Sequence, residues 1–398
     1  MTLCRPLSGW LRRRSVRSRS RSLIPLLLGV LILTWPSAAR AQIDGQARTN
    51  LEAGVSTPLV GNGSLDGYIF VLLNRPHFTT EDLYWRIVVS PVYVNTEVIH
   101  DRWPADGHAL GLGAAGGLFG NNFSEYRDGD YKRRESFWGH GGGLSLSYYW
   151  RQIKIGGVLP VEGQLRLKPQ YVIYDTGSDT RHDFRLPDDT AIYTARAGIR
   201  VGGVPPELFP KQALEVSIWH EANYRDHAGR YGLPERPQES EHFTQRSWAR
   251  VGGIFSPWLG HSVSLFATGG IAEDTDELSV FRMGGVFRFS SELPLNIHGY
   301  NSGEIFAKRF GLINASYRLA PIPGVNWFRL QLAGDYAHVH YLAGHRLPHR
   351  DLPGAGLDTI FAFSESTTLV LGYGYAFDVP RGHHTGGQEA HALFEIKF

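Results

Sequence analysis

The sequence has 398 residues, 42% of them apolar and 20% charged, with 47 Gly, 10 Trp, 18 Tyr and one Cys, which excludes a disordered chain and a disulfide-stapled module. The formal charge of +2 is unevenly spread: residues 1–41 hold eight Arg and no acid, leaving 32 basic against 38 acidic side chains, a net −6, in the remainder. A remainder with no surplus of Lys and Arg argues against nucleic acid as a partner.

The chain opens with Arg5, Arg12, Arg13, Arg14, Arg17, Arg19 and Arg21. An apolar run over 23–33 follows, and Ala39-Arg40-Ala41 places small residues where a signal peptidase reads. This layout predicts a bacterial secretory signal over 1–41, cut before Gln42. The competing reading, a membrane anchor, is disfavoured because Pro25 interrupts a run already short for ~30 Å of hydrocarbon. Cys4 lies in the charged stretch and not at the cut, so no thiol is left for a nucleophile or a metal.

From residue 42 to 398 the dominant period is two. Leu165-Arg166-Leu167-Lys168 alternates, as do Leu214-Glu215-Val216-Ser217-Ile218 and Val263-Ser264-Leu265-Phe266. Strands with one charged face and one apolar or aromatic face suit lipid outside and a polar lumen inside. A soluble β-sandwich would have to pack those charges in its core. The expected fold is all-β, a transmembrane antiparallel β-barrel in a Gram-negative outer membrane, in contact with its lipid. Strands are expected near 47–56, 66–74, 83–95, 108–118, 139–150, 162–175, 190–203, 212–223, 244–256, 262–272, 304–319, 325–340, 352–363, 366–378 and 388–398. Long connections fall at every second position back to residue 119, where the parity breaks. Single-chain bacterial barrels have an even number of strands, so sixteen are expected, with one missed before 119. In the last strand Phe394, Ile396 and Phe398 should face lipid and serve the barrel-assembly machinery, with Glu395 and Lys397 facing the lumen.

Phe281-Arg282-Met283-Gly284-Gly285, followed by His298-Gly299-Tyr300 within 293–304, resembles the sixth external loop of the bacterial surface-antigen superfamily of outer-membrane barrels. That superfamily includes the outer-membrane protein assembly and two-partner secretion pores and the barrels of patatin-like phospholipases. The strand end Ala315-Ser316-Tyr317-Arg318-Leu319 and the final Phe also look like this group, and the likeness is specific over about 260–398. It implies that the loop 273–303, between strands 11 and 12, folds into the lumen as a plug. Arg282, Gly284 and Gly285 would form the plug-loop element, and His298, Gly299 and Tyr300 its tip. Gly299 suits a backbone pressed on a wall, and Tyr300 can pack its ring while its hydroxyl finds a partner. Asp335 is the expected wall partner. Two departures stand out: His298 replaces the superfamily's tip Arg, giving a shorter and titratable contact. Only Gln42 to about Gln46 precede the first strand, so the periplasmic POTRA modules of assembly and secretion members are expected to be absent.

No catalytic or cofactor constellation is expected. His383, His384 and His391 lack a metal-ligand spacing, and Gly139-His140-Gly141-Gly142-Gly143 has no Gly-x-Ser-x-Gly elbow to serve. Asp226-His227 and His220-Glu221 have no nucleophile beside them in the sequence. The reading is transport-like, the passage or insertion of a polypeptide or lipid through a loop-gated pore, with a periplasmic partner protein possible. The alternatives are a passive porin, an outer-membrane hydrolase, and a structural platform for that partner.

Overall fold

The computed structural model describes residues 44–155, 159–258, 260–287 and 293–398. The expected signal over 1–41 lies outside them. Sixteen of the described strands form one closed antiparallel barrel. They are β1 (Arg48–Pro58), β2 (Asp66–Arg75), β3 (Leu83–Val89), β4 (Tyr93–Asp101), β5 (His108–Phe123) and β6 (Phe137–Ile155). Next come β7 (Leu159–Thr176), β8 (Thr190–Gly203), β9 (Ala213–Arg225), β10 (Phe243–Phe255) and β11 (Ser262–Glu273). The last five are β12 (Ile305–Leu319), β13 (Phe328–Tyr341), β14 (Asp351–Ala362), β15 (Thr367–Arg381) and β16 (His384–Lys397). Each strand pairs with the next, and β1 pairs with β16 from Asn50↔Lys397 to Pro58↔Glu389, so no edge is left unpaired. Among the described residues no helix is long and apolar enough to cross a membrane.

Alternation decides which face is which. On β9, Val216 is 46% and Ile218 61% exposed, whereas Glu215, Ser217 and Trp219 between them are buried. The exposed face belongs to lipid and the buried face to the lumen, the arrangement that lets every backbone group pair within the sheet. The long connections 124–136, 177–189, 226–242, 274–304 and 342–350 all leave one rim, the outward rim of barrels of this class.

The expected segment 83–95 is two strands, β3 and β4. They turn over within Ser90-Pro91-Val92, where Ser90 N–H donates to Tyr93 O at 2.7 Å. This is the strand missing before residue 119. Its turn sits on the rim of the long connections, so loop length gave no sign of it.

Candidate functional site in the barrel lumen

The segment between β11 and β12 begins with Phe281–Met283, which pairs with Ile305–Ala307. Arg282 donates from Nε to Gly303 O at 3.0 Å, bonds Ser124 O through Nη2, and lies 4.3 Å over the Phe306 ring. Gly284 and Gly285 then turn the chain at φ 114° and 74°, where an L side chain is strained. Gly284 N–H donates to Leu295 O at 2.9 Å, Gly285 N–H to Tyr300 O at 2.9 Å, and Ile297 N–H to Gly285 O at 3.1 Å. These bonds fold the segment into a tight lobe with His298, Gly299 and Tyr300 at its end.

The lobe ends on the inner face of β13–β16. Asp335 accepts from His298 N–H at 2.8 Å and lies 2.5 Å from His298 Nδ1, while Asn314 Nδ2 donates to its other oxygen at 2.7 Å. Gly299 N–H donates to Glu389 Oε1 at 3.2 Å, and Tyr300 donates from its hydroxyl to Phe377 O at 3.3 Å. The backbones touch at glycines on both sides. A Cβ on Gly299 would sit 2.0 Å from Ala376 N, and one on Gly356 would sit 2.4 Å from the His298 ring. Beside the tip, Arg381 and Glu304 are both buried and joined by two bonds of 2.6 Å, a bidentate pair at the root of the lobe. Arg381 also donates to Gly129 O at 2.7 Å, tying this root to the connection 124–136.

Burial opposes a charge on His298. The Asp335 carboxylate and its hydrogen bond, with Asp358 and Glu389 nearby, outweigh that and hold the imidazole pKa above its ordinary value. Docking therefore favours the protonated ring.

Three outer connections meet above the lobe. His345 bonds Glu277 through Nε2, and its Nδ1 lies 3.8 Å from Glu125. The three ligating atoms fall within 4.8 Å of one another, a spacing a cation could use. Arg127, with Nε 3.1 Å from Glu125, already supplies compensating charge there.

In β16, Phe394 and Ile396 lie opposite Ala53 and Leu51 on one face, while Glu395 and Lys397 lie opposite Glu52 and Asn50 on the other. Phe398 is 80% exposed at the end. His391 is buried 3.0 Å from Asp358, far along the strand from His384. His220 bonds Ser247 on the exposed face, and Asp226 and His227 form an exposed pair at 3.0 Å.

No protein family and no curated sequence matches the chain at the sequence level. Solved structures do match its fold. CdiB from Acinetobacter baumannii superposes with a TM-score of 0.56 at 13% identity, covering 88% of this chain and 60% of that one. BamA from Haemophilus ducreyi lacking POTRA domains 1–3 gives 0.53 at 10% identity, covering 97% and 80%. CdiB from Escherichia coli gives 0.53 at 12% identity, covering 87% and 63%. The chain thus spans less than two thirds of either CdiB.

The likeness shows the fold, a sixteen-stranded β-barrel of the outer-membrane type.

The barrel has one feature that alternation did not reveal. The connection 204–212 between β8 and β9 crosses to the far wall. Pro206 O accepts from Asn50 Nδ2 at 3.1 Å, and Glu207 pairs with Arg48 at 2.6 Å and with Lys397 at 2.9 Å. Leu208 N–H donates to Glu395 at 3.3 Å, its side chain packs on Ile360 and Val370, and Phe209 lies 4.8 Å under the Arg318 guanidinium. The strap therefore bridges both sides of the β1–β16 seam. A signal was present in Val204-Pro205-Pro206-Glu207-Leu208-Phe209-Pro210, which is too rigid and too apolar for a solvated turn.

Proposed function

We propose that this chain is a member of the surface-antigen superfamily, exported by its signal, whose barrel passes or inserts a polypeptide or lipid across the outer membrane. In this reading loop 274–304 is a lumen plug and the β1–β16 seam is the exit. One observation carries it: a loop tip seated on glycines of the opposite wall and held by a titratable pair, His298 on Asp335. A packed core element would need no wall of glycines, and a solvated loop would not bury Ile297 and Tyr300 completely. The strap 204–212 fits the same reading, since its contacts with Arg48 and Lys397 span the seam that would open. The likeness to CdiB and BamA supports the barrel class.

The test is single-channel conductance of the purified barrel in planar bilayers, with and without residues 286–303. The reading expects a small resting conductance that rises severalfold on deletion. Equal conductances would remove the plug. A small-solute porin is the second reading, favoured by a cavity of about 1330 Å³ beside the lobe, and a large resting conductance would support it.

A further inference from the structure

The lumen is divided by charge. The wall β13–β16 carries Asp335, Asp358, Glu389 and Glu395, and the lobe covers part of it through His298 and Gly299 N–H. The opposite half, formed by β3, β4 and β7–β10, is basic and faces the cavity of about 1330 Å³ between that wall and the lobe. Six cations from the wall line this cavity, Arg86, Arg166, Lys168, Arg196, Arg225 and Arg246, against the carboxylates Glu97 and Glu221. A chain whose residues 42–398 carry a net charge of −6 therefore lines this cavity with wall groups of net charge +4.

Register shows how the charges are placed. Arg166, Arg196, Glu221 and Arg246 lie directly opposite one another across β7, β8, β9 and β10. Four residues along, Glu162, Arg200, Ser217 and Arg250 form a second such row. Between the rows lie Gln164, Gly198, Trp219 and Trp248. Gly198 leaves room for an indole: a Cβ there would be 2.2 Å from Trp219. The two indoles stack at 6.4 Å with the Arg196 guanidinium 5.0 Å from each ring. Placing Arg196 directly opposite Arg166 costs stability, because like charges across a strand pair repel. The buried Nε of Arg200 has no hydrogen-bond partner among the described residues, and Arg200 lines a second cavity of about 230 Å³.

We propose that the two arginine rows around Trp219 and Trp248 bind a phosphate-bearing anion. Guanidinium forks match phosphate oxygens two at a time, which a lysine ammonium cannot do. The indole row packs against the Arg196 guanidinium and holds that fork in place. The site does not rest on loop gating, since an immobile lobe would leave the same lattice facing the same cavity.

The experiment titrates the refolded full-length barrel in detergent by calorimetry with inorganic pyrophosphate, with dihexanoyl phosphatidic acid, and with dihexanoyl phosphatidylcholine as the zwitterionic control. Saturable binding of pyrophosphate alone assigns the site to soluble phosphates, and of phosphatidic acid alone to a lipid headgroup; both outcomes support it. The double variant Arg196→Gln/Arg200→Gln should bind at least tenfold more weakly, while Arg309→Gln, on the exposed face of β12, should bind as wild type does. Heat-modifiable migration checks that each variant is folded. Absence of saturable binding by either phosphate, or equal affinity in wild type and the double variant, overturns the proposal. The reversal potential of the unmodified protein in a KCl gradient needs no variant: chloride preference is expected, and potassium preference overturns the proposal.

Discussion

Replacing Gly299 by alanine isolates what docking contributes. The residue has φ +79°, and its Cβ would stand 2.0 Å from Ala376 N and 2.3 Å from Tyr375 C, backbone atoms of a paired strand that cannot move aside. Left-handed backbone costs an L residue roughly 1–2 kcal/mol by itself. The clash adds to that, because it is relieved only if the tip lifts and gives up its bonds to Asp335, of 2.8 and 2.5 Å. Hydrogen bonds to a charged group are worth about 1.5–3 kcal/mol, so the lifted population should rise roughly 10- to 100-fold. Gly324 supplies the control: it has the same φ of +79°, with nothing within 4 Å of its Cβ position. Alanine at either site bears the same backbone strain, but only Gly299→Ala should dislodge the lobe. The assay is open probability in planar bilayers. If Gly299→Ala and Gly324→Ala gave indistinguishable traces, the docking argument would be refuted.

Four further outcomes follow from named contacts. The pKa of His298 is raised when docked, so its contribution is complete below about 6.5 and is lost as pH rises through the raised value. Open probability should climb over that range in wild type and stay flat in His298→Gln; parallel curves would count against the pair. Arg381→Gln strands Glu304 as a buried charge and should cost about 3–5 kcal/mol, seen as a lower temperature for the heat-modifiable transition. Glu207→Gln removes the strap's pairs with Arg48 and Lys397 and should speed proteolysis within 204–212 about fivefold, the factor for about 1 kcal/mol. Phe398→Ser should lower the yield of folded barrel far more than Lys397→Ser, and equal yields would remove the terminal aromatic as an assembly signal.

The barrel was legible because period-two alternation with charge on one face has few other outlets, and Val216 and Ile218 against Glu215 and Ser217 illustrate it. The turn Ser90-Pro91-Val92 was not, because alternation runs through so short a turn unbroken. His298, Gly299 and Asp335 could be picked out as residues, the first two by motif and the third by phase along β13. Their distance depends on closure of the barrel, which brings β13 and β16 round to one face of the lobe. The pair Glu304–Arg381 joins residues 77 apart in sequence and has no local pattern at all. The Arg166–Arg196 opposition depends on exact strand register, which alternation leaves free by steps of two.

The central claim is that the 293–304 lobe rests inside the barrel, docked on its wall. Only Cys4 occurs in the whole sequence, so a cysteine placed after the expected cut is unique in the mature chain. Asn301 is 7% exposed within the lobe and its Nδ2 has no hydrogen-bond partner among the described residues, so Asn301→Cys breaks no side-chain bond from that atom there. Leu65→Cys, at a position 72% exposed on the connection 59–65, gives the reference rate for an open site. The measurement is maleimide labelling of both variants in intact outer membranes. The account predicts that Asn301→Cys reacts at least tenfold more slowly than Leu65→Cys, and that adding Gly299→Ala brings the rates together. Labelling of Asn301→Cys at the Leu65→Cys rate, without Gly299→Ala, would contradict it.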